Sequence, residues 1–423
     1  MCKLVKKNPI SIYILCLMIV FATIVFWQNS DIGFQRDSEI LVVSMVTAGR
    51  YNLDIGSRQF GMGEMASKDG NVYSVYETPE LFDNDISERT QQIGLQGWIF
   101  YYMARLGVPS PYAAFRLVCC LALAIVLSLI CYELNKKYGL LFAYVFFIVS
   151  ISSSWLTNFA PNLYWVPFTW FIPMLLGVIC LNNLNKRRLL YPLFFLAIFI
   201  KAACGYEYIT VVMLSSIMFL AVEWVCALKK DKQYSMLLFK TIFMIGIMSL
   251  LGFSVALLIN SYMLGDGNIL NGLNAIYRED VLRRTFGSAE DFPEVFTNSL
   301  NASILDVLII YFSHDYAGVL ARRLLIAVGL ILIIKKIVKC NSLQTEFWLY
   351  VFSFLTCISW FVFGKSHSFI HIHMNYVMWY MGYIQICVYI VVKAIMQLGF
   401  SDKCKPLFLR LFQKLRMEAN LEI

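Results

Sequence analysis

Charge is what this chain has least of. Lys, Arg, Asp and Glu supply 15% of its 423 residues and hydrophobic residues 59%, against roughly 25% charged in an ordinary globular domain. That excludes a soluble domain solvated on every side. Cysteine is missing from both long polar loops, so an oxidising face would find no pair to bond there. No low-complexity linker and no internal repeat divides the chain, which predicts one membrane domain over 1–423. Nothing resembles a Gly-rich phosphate loop for a nucleotide. The net charge of +8 is largely accounted for by short basic segments, which argues against nucleic acid as a partner.

What is present in quantity is apolar sequence of spanning length. A helix crosses the hydrocarbon core in about 20 residues, and ten stretches qualify: Pro9–Trp27, Pro111–Tyr132, Tyr138–Trp155, Leu163–Leu181, Leu189–Tyr206, Tyr208–Leu228, Ser235–Asn260, Val319–Ile334, Phe347–Gly364 and Met374–Val392. The fold class predicted is therefore an all-α polytopic membrane protein with about ten transmembrane helices. Lys3, Lys6 and Lys7 precede the first stretch, so the amino terminus is expected in the cytoplasm. Alternation then puts 20 of the 35 basic residues in cytoplasmic segments, including a basic tail over 393–423. Two long acid-rich loops, 28–110 and 261–318, fall on the outer face. Phe26, Trp27 and Gln28 leave no small-residue cleavage site after the first stretch, which predicts a retained helix and not a signal peptide. The tail alternates Leu and Phe with Arg410, Lys414 and Arg416, a pattern suited to the anionic inner leaflet. Ile304–Phe312 is apolar but too short to cross, and reads as an interfacial or re-entrant piece.

The outer loops and rims carry the polar residues that need an account. Asp37 and Glu39 open a run, Ile40–Thr47, that predicts a surface helix ending near Gly49. They cap that helix, or one of them is a general base; two positions apart on a helix they diverge. Further along, the glutamines after Arg89 read as solvated loop residues, with binding of sugar hydroxyls as the alternative, before a second surface helix, Trp98–Leu106. Tyr164 and Trp165 suit either an interfacial aromatic belt or a platform for a sugar ring or an isoprene. Lys201 and Glu207 flank a tight turn that they solvate or, for Glu207, leave to face inward. Arg283 and Arg284 stand four residues after Glu279 and Asp280, the order that stabilises an exposed helix.

Three of the four histidines, His367, His371 and His373, crowd within seven residues beside Lys365. His367 and His371 share a helix face and His371 and His373 a strand face, so no regular structure offers all three to one metal. Recognition of a lipid phosphate fits a cation beside imidazoles better. No metal site is predicted, and a divalent ion is the less favoured alternative.

Together these pieces resemble the GT-C superfamily of membrane glycosyltransferases, which includes protein O-mannosyltransferases, aminoarabinose transferases and bacterial serotype-converting glucosyltransferases. Asp37-Ser-Glu39 occupies the place of that superfamily's acidic pair, at the start of a first outer loop with two surface helices. Asn162–Trp165 and Lys365–His371 look similar to patterns in bacterial polysaccharide-locus membrane proteins. The resemblance implies transfer of a sugar from a polyprenyl-phosphate donor to a glycan or glycolipid acceptor, without a cofactor and with inversion. It implies the plasma (inner) membrane of a bacterium, both termini inside and the active site outside. Asp37 or Glu39 would be the base, and Lys365, His367, Arg283 or Arg284 would stabilise the leaving phosphate. A polysaccharide polymerase and a lipid-linked oligosaccharide flippase are the alternatives. Against a flippase, Lys240 and Glu223 lie near span ends and not at the midplane.

Overall fold

A computed structural model describes residues 10–28, 36–337 and 343–400, without the side chains of 36, 37, 343 and 398–400. The basic amino terminus and the tail from 401 lie outside the described residues. Helix α1 (Ile12–Gln28) leads to an outer-loop unit made of α2 (Arg36–Tyr51), strand β1 (Gly63–Ser67), α3 (Val72–Glu77), strand β2 (Phe82–Glu88) and α4 (Leu95–Arg105). The bundle continues through α5 (Pro111–Tyr138), α6 (Leu140–Ile151), α7 (Ser154–Phe159), α8 (Phe168–Asn182), α9 (Arg187–Cys204), α10 (Ile209–Ala227) and α11 (Lys232–Leu264). After it come α12 (Ile269–Ile276), α13 (Thr297–Asn301), α14 (Ile304–Ser313), α15 (Asp315–Ile337), α16 (Leu343–Phe363), α17 (Lys365–Ile370), α18 (Ile372–Asn375) and α19 (Tyr383–Phe400).

This is a helical membrane protein. Among the described residues five helices, α5, α10, α11, α15 and α16, are long and apolar enough to cross a bilayer, and up to seven spans result if each of two bent pairs counts as one. The stretches Tyr138–Trp155 and Leu163–Leu181 form shorter helices than expected. Gly139, at φ 91°, and the Ser152–Ser153 corner confine α6 to 12 residues, about 18 Å of rise, too little to cross alone. The last stretch breaks too: the axes on either side of Met381 and Gly382 differ by 45°, with Gly382 at φ 119°. The Ile304–Phe312 piece is a short helix, α14, set at 88° to the segment Glu294–Asn301 before it.

Within this all-α fold the first outer loop adds one small sheet. Strands β1 and β2 pair antiparallel in the first outer loop, Gly63 opposite Glu88 and Met65 opposite Ile86. Local alternation is weak in both, so tertiary contacts decide: Ser44 Oγ on α2 accepts the Met65 amide at 3.0 Å, and Met65 is buried with Met45, Val72 and Tyr101. The two expected surface helices are both present and packed on each other. Gly49 does not end α2, which runs to Tyr51. It instead lets α4 approach, since a Cβ there would stand 2.3 Å from the Tyr101 carbonyl oxygen.

The end of the bundle that carries the basic loops is held by ion pairs. Glu346 on α16 accepts from Lys335 of α15 at 2.5 Å and from Lys393 of α19 at 2.9 Å, with only 2% of its side chain exposed. Lys137 meets Glu223 at 2.8 Å nearby. One carboxylate thus ties three helices together.

Candidate functional site

At the opposite end, six separate stretches of chain meet around a polar cavity of about 150 Å³. Each wall is set by local structure. The turn Asn162–Val166 is folded by the Asn162 side chain, whose Oδ1 accepts the amides of Tyr164 at 2.9 Å and Trp165 at 3.0 Å. Val166 sits at φ 37°, a region a β-branched residue enters at a cost of about 1–3 kcal/mol. Tyr164 and Trp165 are thereby presented to the cavity, and Trp165 stacks on Tyr208 with centroids 5.6 Å apart.

Glu207 comes from the turn between α9 and α10. Lys201 Nζ donates to the Gly205 carbonyl at 2.6 Å and ends α9 there. A Cβ at Gly205 would lie 2.7 Å from Glu207 Oε2 and 2.9 Å from Gln92 Oε1, so glycine is what leaves room for the carboxylate. The next residue, Tyr208, is left-handed at φ 64°. Lys201 is therefore a helix-end brace, buried and outside the cavity lining.

The third wall is the segment after α12, where a π-helical turn, Tyr277–Leu282, brings Arg283 and Arg284 inward; such turns recur at functional sites. Both sequence-predicted pairs form: Arg283 to Glu279 at 3.4 Å and Arg284 to Asp280 at 2.9 Å. They are not a merely solvated helix face, because Arg284 is 13% exposed and its Nη1 stands 3.9 Å from Glu207 Oε1. Its backbone carbonyl also accepts the amides of Ser366 at 3.0 Å and His367 at 3.3 Å, which docks α17.

Those contacts set the histidines. His367 and His371 line the cavity with ring centroids 4.4 Å apart, whereas His373 is exposed and not part of the lining, its ring 5.8 Å from that of His371. Burial, followed by the nearby Arg284 charge, holds His367 well below the usual imidazole range. Burial and then His373 push His371 down to about 4. Both rings are neutral at pH 7, so they offer hydrogen bonds and not charge. Positive charge in the lining comes from Arg89, Arg283 and Arg284, against Glu207 alone among lining acids. Arg284 Nε, His371 Nδ1 and Trp165 Nε1 are buried without a partner, which is costly unless a polar ligand completes them.

Two further sequence candidates, like Lys201 and His373, are placed elsewhere. Lys365 donates both to Leu300 O and to Ala302 O at 2.6 Å, so its ammonium is used to cap α13 and it does not line the cavity. Glu39, a candidate base, is a buried clasp: Oε1 accepts the Leu163 amide at 2.9 Å and Oε2 the Tyr112 hydroxyl at 3.0 Å. The side chain of Asp37 lies outside the described residues, although its neighbour Ser38 lines the cavity. Arg89, which the sequence did not single out, and Gln91, which it favoured as a solvated loop residue, lie at the cavity and bond each other at 2.9 Å. Their segment is not simply solvated. Gln96, 2% exposed, bonds the Tyr164 and Cys204 carbonyls at 2.8 and 2.9 Å. Among the described residues no cluster of three metal-ligating side chains occurs.

Beside the cavity runs a groove of about 490 Å³ with mainly apolar walls, from Tyr206, Ile209, Phe253, Leu257, Ile276 and Phe363. Asp280 and Arg284 are its charged edge, and Arg284 lines both spaces. The arrangement can hold an amphiphile by its tail and its anionic head at once. Comparison of the chain with family models, curated proteins and solved structures finds no match.

Proposed function

We propose that this protein is a membrane glycosyltransferase of GT-C type, with about ten membrane crossings, that moves a sugar from a polyprenyl-phosphate donor to a glycan or glycolipid on the outer face of a bacterial inner membrane. The observation that carries this reading is Arg284, shared by an apolar groove and a polar cavity. The groove takes the isoprenoid chain, the guanidiniums of Arg284 and Arg283 take the phosphate, and the sugar enters the cavity against Tyr164 and Trp165. A lipid phosphate leaves as an anion, and donors already fixed in a site of low dielectric stabilise it without reorganisation. Arg89 adds a further positive charge to the same lining. The neutral imidazoles of His367 and His371 add hydrogen bonds to the sugar or the phosphate.

The sidedness follows from the basic loops. The cavity is at the end away from Lys335, Lys393 and Glu346, which supports an outer-face site, where lipid-linked sugars and not nucleotide sugars would be the donors. The test is reconstitution in proteoliposomes with a panel of labelled polyprenyl-phosphate hexoses. The expected result is protein-dependent release of lipid phosphate, reduced about 10²-fold or more by Arg284→Ala. Mass spectrometry of the surface glycan with and without the gene identifies the product. No turnover of any donor, with an unchanged glycan, would sink the reading.

A further inference from the structure

We propose that Glu207 is the general base that deprotonates the acceptor hydroxyl, an inference that rests on the transfer reading above. Among the described carboxylates near the cavity, Glu207 alone lines it. Glu39 has both oxygens occupied, by the Leu163 amide and the Tyr112 hydroxyl. Asp280 pairs with Arg284 at 2.9 Å and borders the apolar groove instead. Glu207 is held loosely by comparison. Its nearest cation, Arg284 Nη1, is 3.9 Å away, outside hydrogen-bond reach, so its oxygens remain open to a hydroxyl.

Its placement is also built. Gly205 clears the space for Oε2, and the left-handed Tyr208 turns the chain so that Glu207 faces the cavity while the Tyr208 ring supports Trp165 from behind. A sugar laid on Trp165 with its phosphate at Arg284 has the carboxylate beside it. In the reaction the acceptor oxygen forms a bond to the anomeric carbon as its proton passes to the Glu207 carboxylate. The bond from that carbon to the phosphate oxygen breaks, and the electron pair leaves with the lipid phosphate beside Arg284. Protonated Glu207 then returns its proton to solvent.

Azide separates this role from a structural one, because it attacks as an anion and needs no base. Displacing the lipid phosphate with azide gives a glycosyl azide and the same leaving group. Using the full-length protein in proteoliposomes, Glu207→Gln is expected to lower transfer to a hydroxyl acceptor by about 10²-fold or more while glycosyl azide formation stays within a few-fold of the unsubstituted protein. Gly205→Ala, which displaces the carboxylate without removing it, should show the same split in milder form. Full hydroxyl transfer by Glu207→Gln would overturn the assignment, as would loss of both reactions. The same split in Asp37→Asn but not in Glu207→Gln would move the base to Asp37 and also overturn it. An unsubstituted protein inactive with both nucleophiles would instead remove the transfer reading itself.

Discussion

Both ends of the bundle bury charge, and they do it in opposite ways. At the basic-loop end Glu346 meets two lysines at 2.5 and 2.9 Å, so the carboxylate is matched by direct contacts. At the cavity end Arg284 is divided between Asp280 at 2.9 Å and Glu207 at 3.9 Å, with its Nε buried and unpartnered. A buried network that is satisfied specifies helix packing; one left incomplete keeps hydrogen-bonding capacity for something else. The contrast separates a structural ion cluster from a candidate site, although both contain the same residue types.

The largest expected effect breaks the satisfied end. Glu346→Ala leaves two lysines without their carboxylate and should destabilise the bundle by about 3 kcal/mol or more, read as a lower melting temperature in detergent. A melting temperature equal to the parent's would remove the contrast. Next is Lys365→Ala, which exposes the Leu300 and Ala302 carbonyls that its ammonium satisfies. A loss of about 2 kcal/mol is expected, with donor KM little changed; a large rise in donor KM would return Lys365 to the phosphate site. Glu39→Gln keeps one acceptor oxygen and should cost about 1 kcal/mol, with transfer largely retained. Abolished transfer in a stably folded Glu39→Gln would show that its clasp also serves the chemistry.

A further effect is a pH dependence, confined to acid. An unfolded histidine binds its proton near pH 6.5, whereas folded His371 does so only near 4. Between those values the unfolded chain binds more protons, so stability falls as pH drops from about 6.5 towards 4 and is unaffected by this group above that window. Melting temperatures across pH 4 to 8 should show the slope, and His371→Asn should flatten part of it. An identical slope in the variant would mean that His371 is not buried neutral.

Much of this was legible in the sequence, and the parts that were not have definite causes. The apolar runs, the paired surface helices and the four-residue spacing from Asp280 to Arg284 are local patterns, and each appears as a helix or a contact. Two of the three histidines clustered within seven residues line the polar cavity. What local pattern does not encode is direction at a helix end. Lys365 and His367 are neighbours in sequence, yet the first turns of α17 send one towards α13 and the other to the cavity. Arg89 and Gln91 sit in a polar loop like any other, and become cavity walls only because β2 delivers that loop beside Tyr164. The strands escaped notice because their pairing depends on α2 and not on alternation. Helices such as α6 are shorter than their apolar stretches because hydropathy does not register where Gly139 and the serine corner stop the helix.

Arg284 belongs to two spaces, and that has a thermodynamic consequence. A tail that fills the groove and draws Asp280 with it changes how firmly the guanidinium is held, and therefore how strongly it attracts an anion on its other side. Such coupling is reciprocal by necessity: whatever factor the tail adds to headgroup affinity, the headgroup adds to tail affinity. Water-soluble analogues without a tail, and tails without a phosphate, should then each bind more weakly than their separate contacts would suggest. The cooperativity of the two halves, measured by comparing whole donor with its fragments on the native protein and on Asp280→Asn, reports the strength of that link.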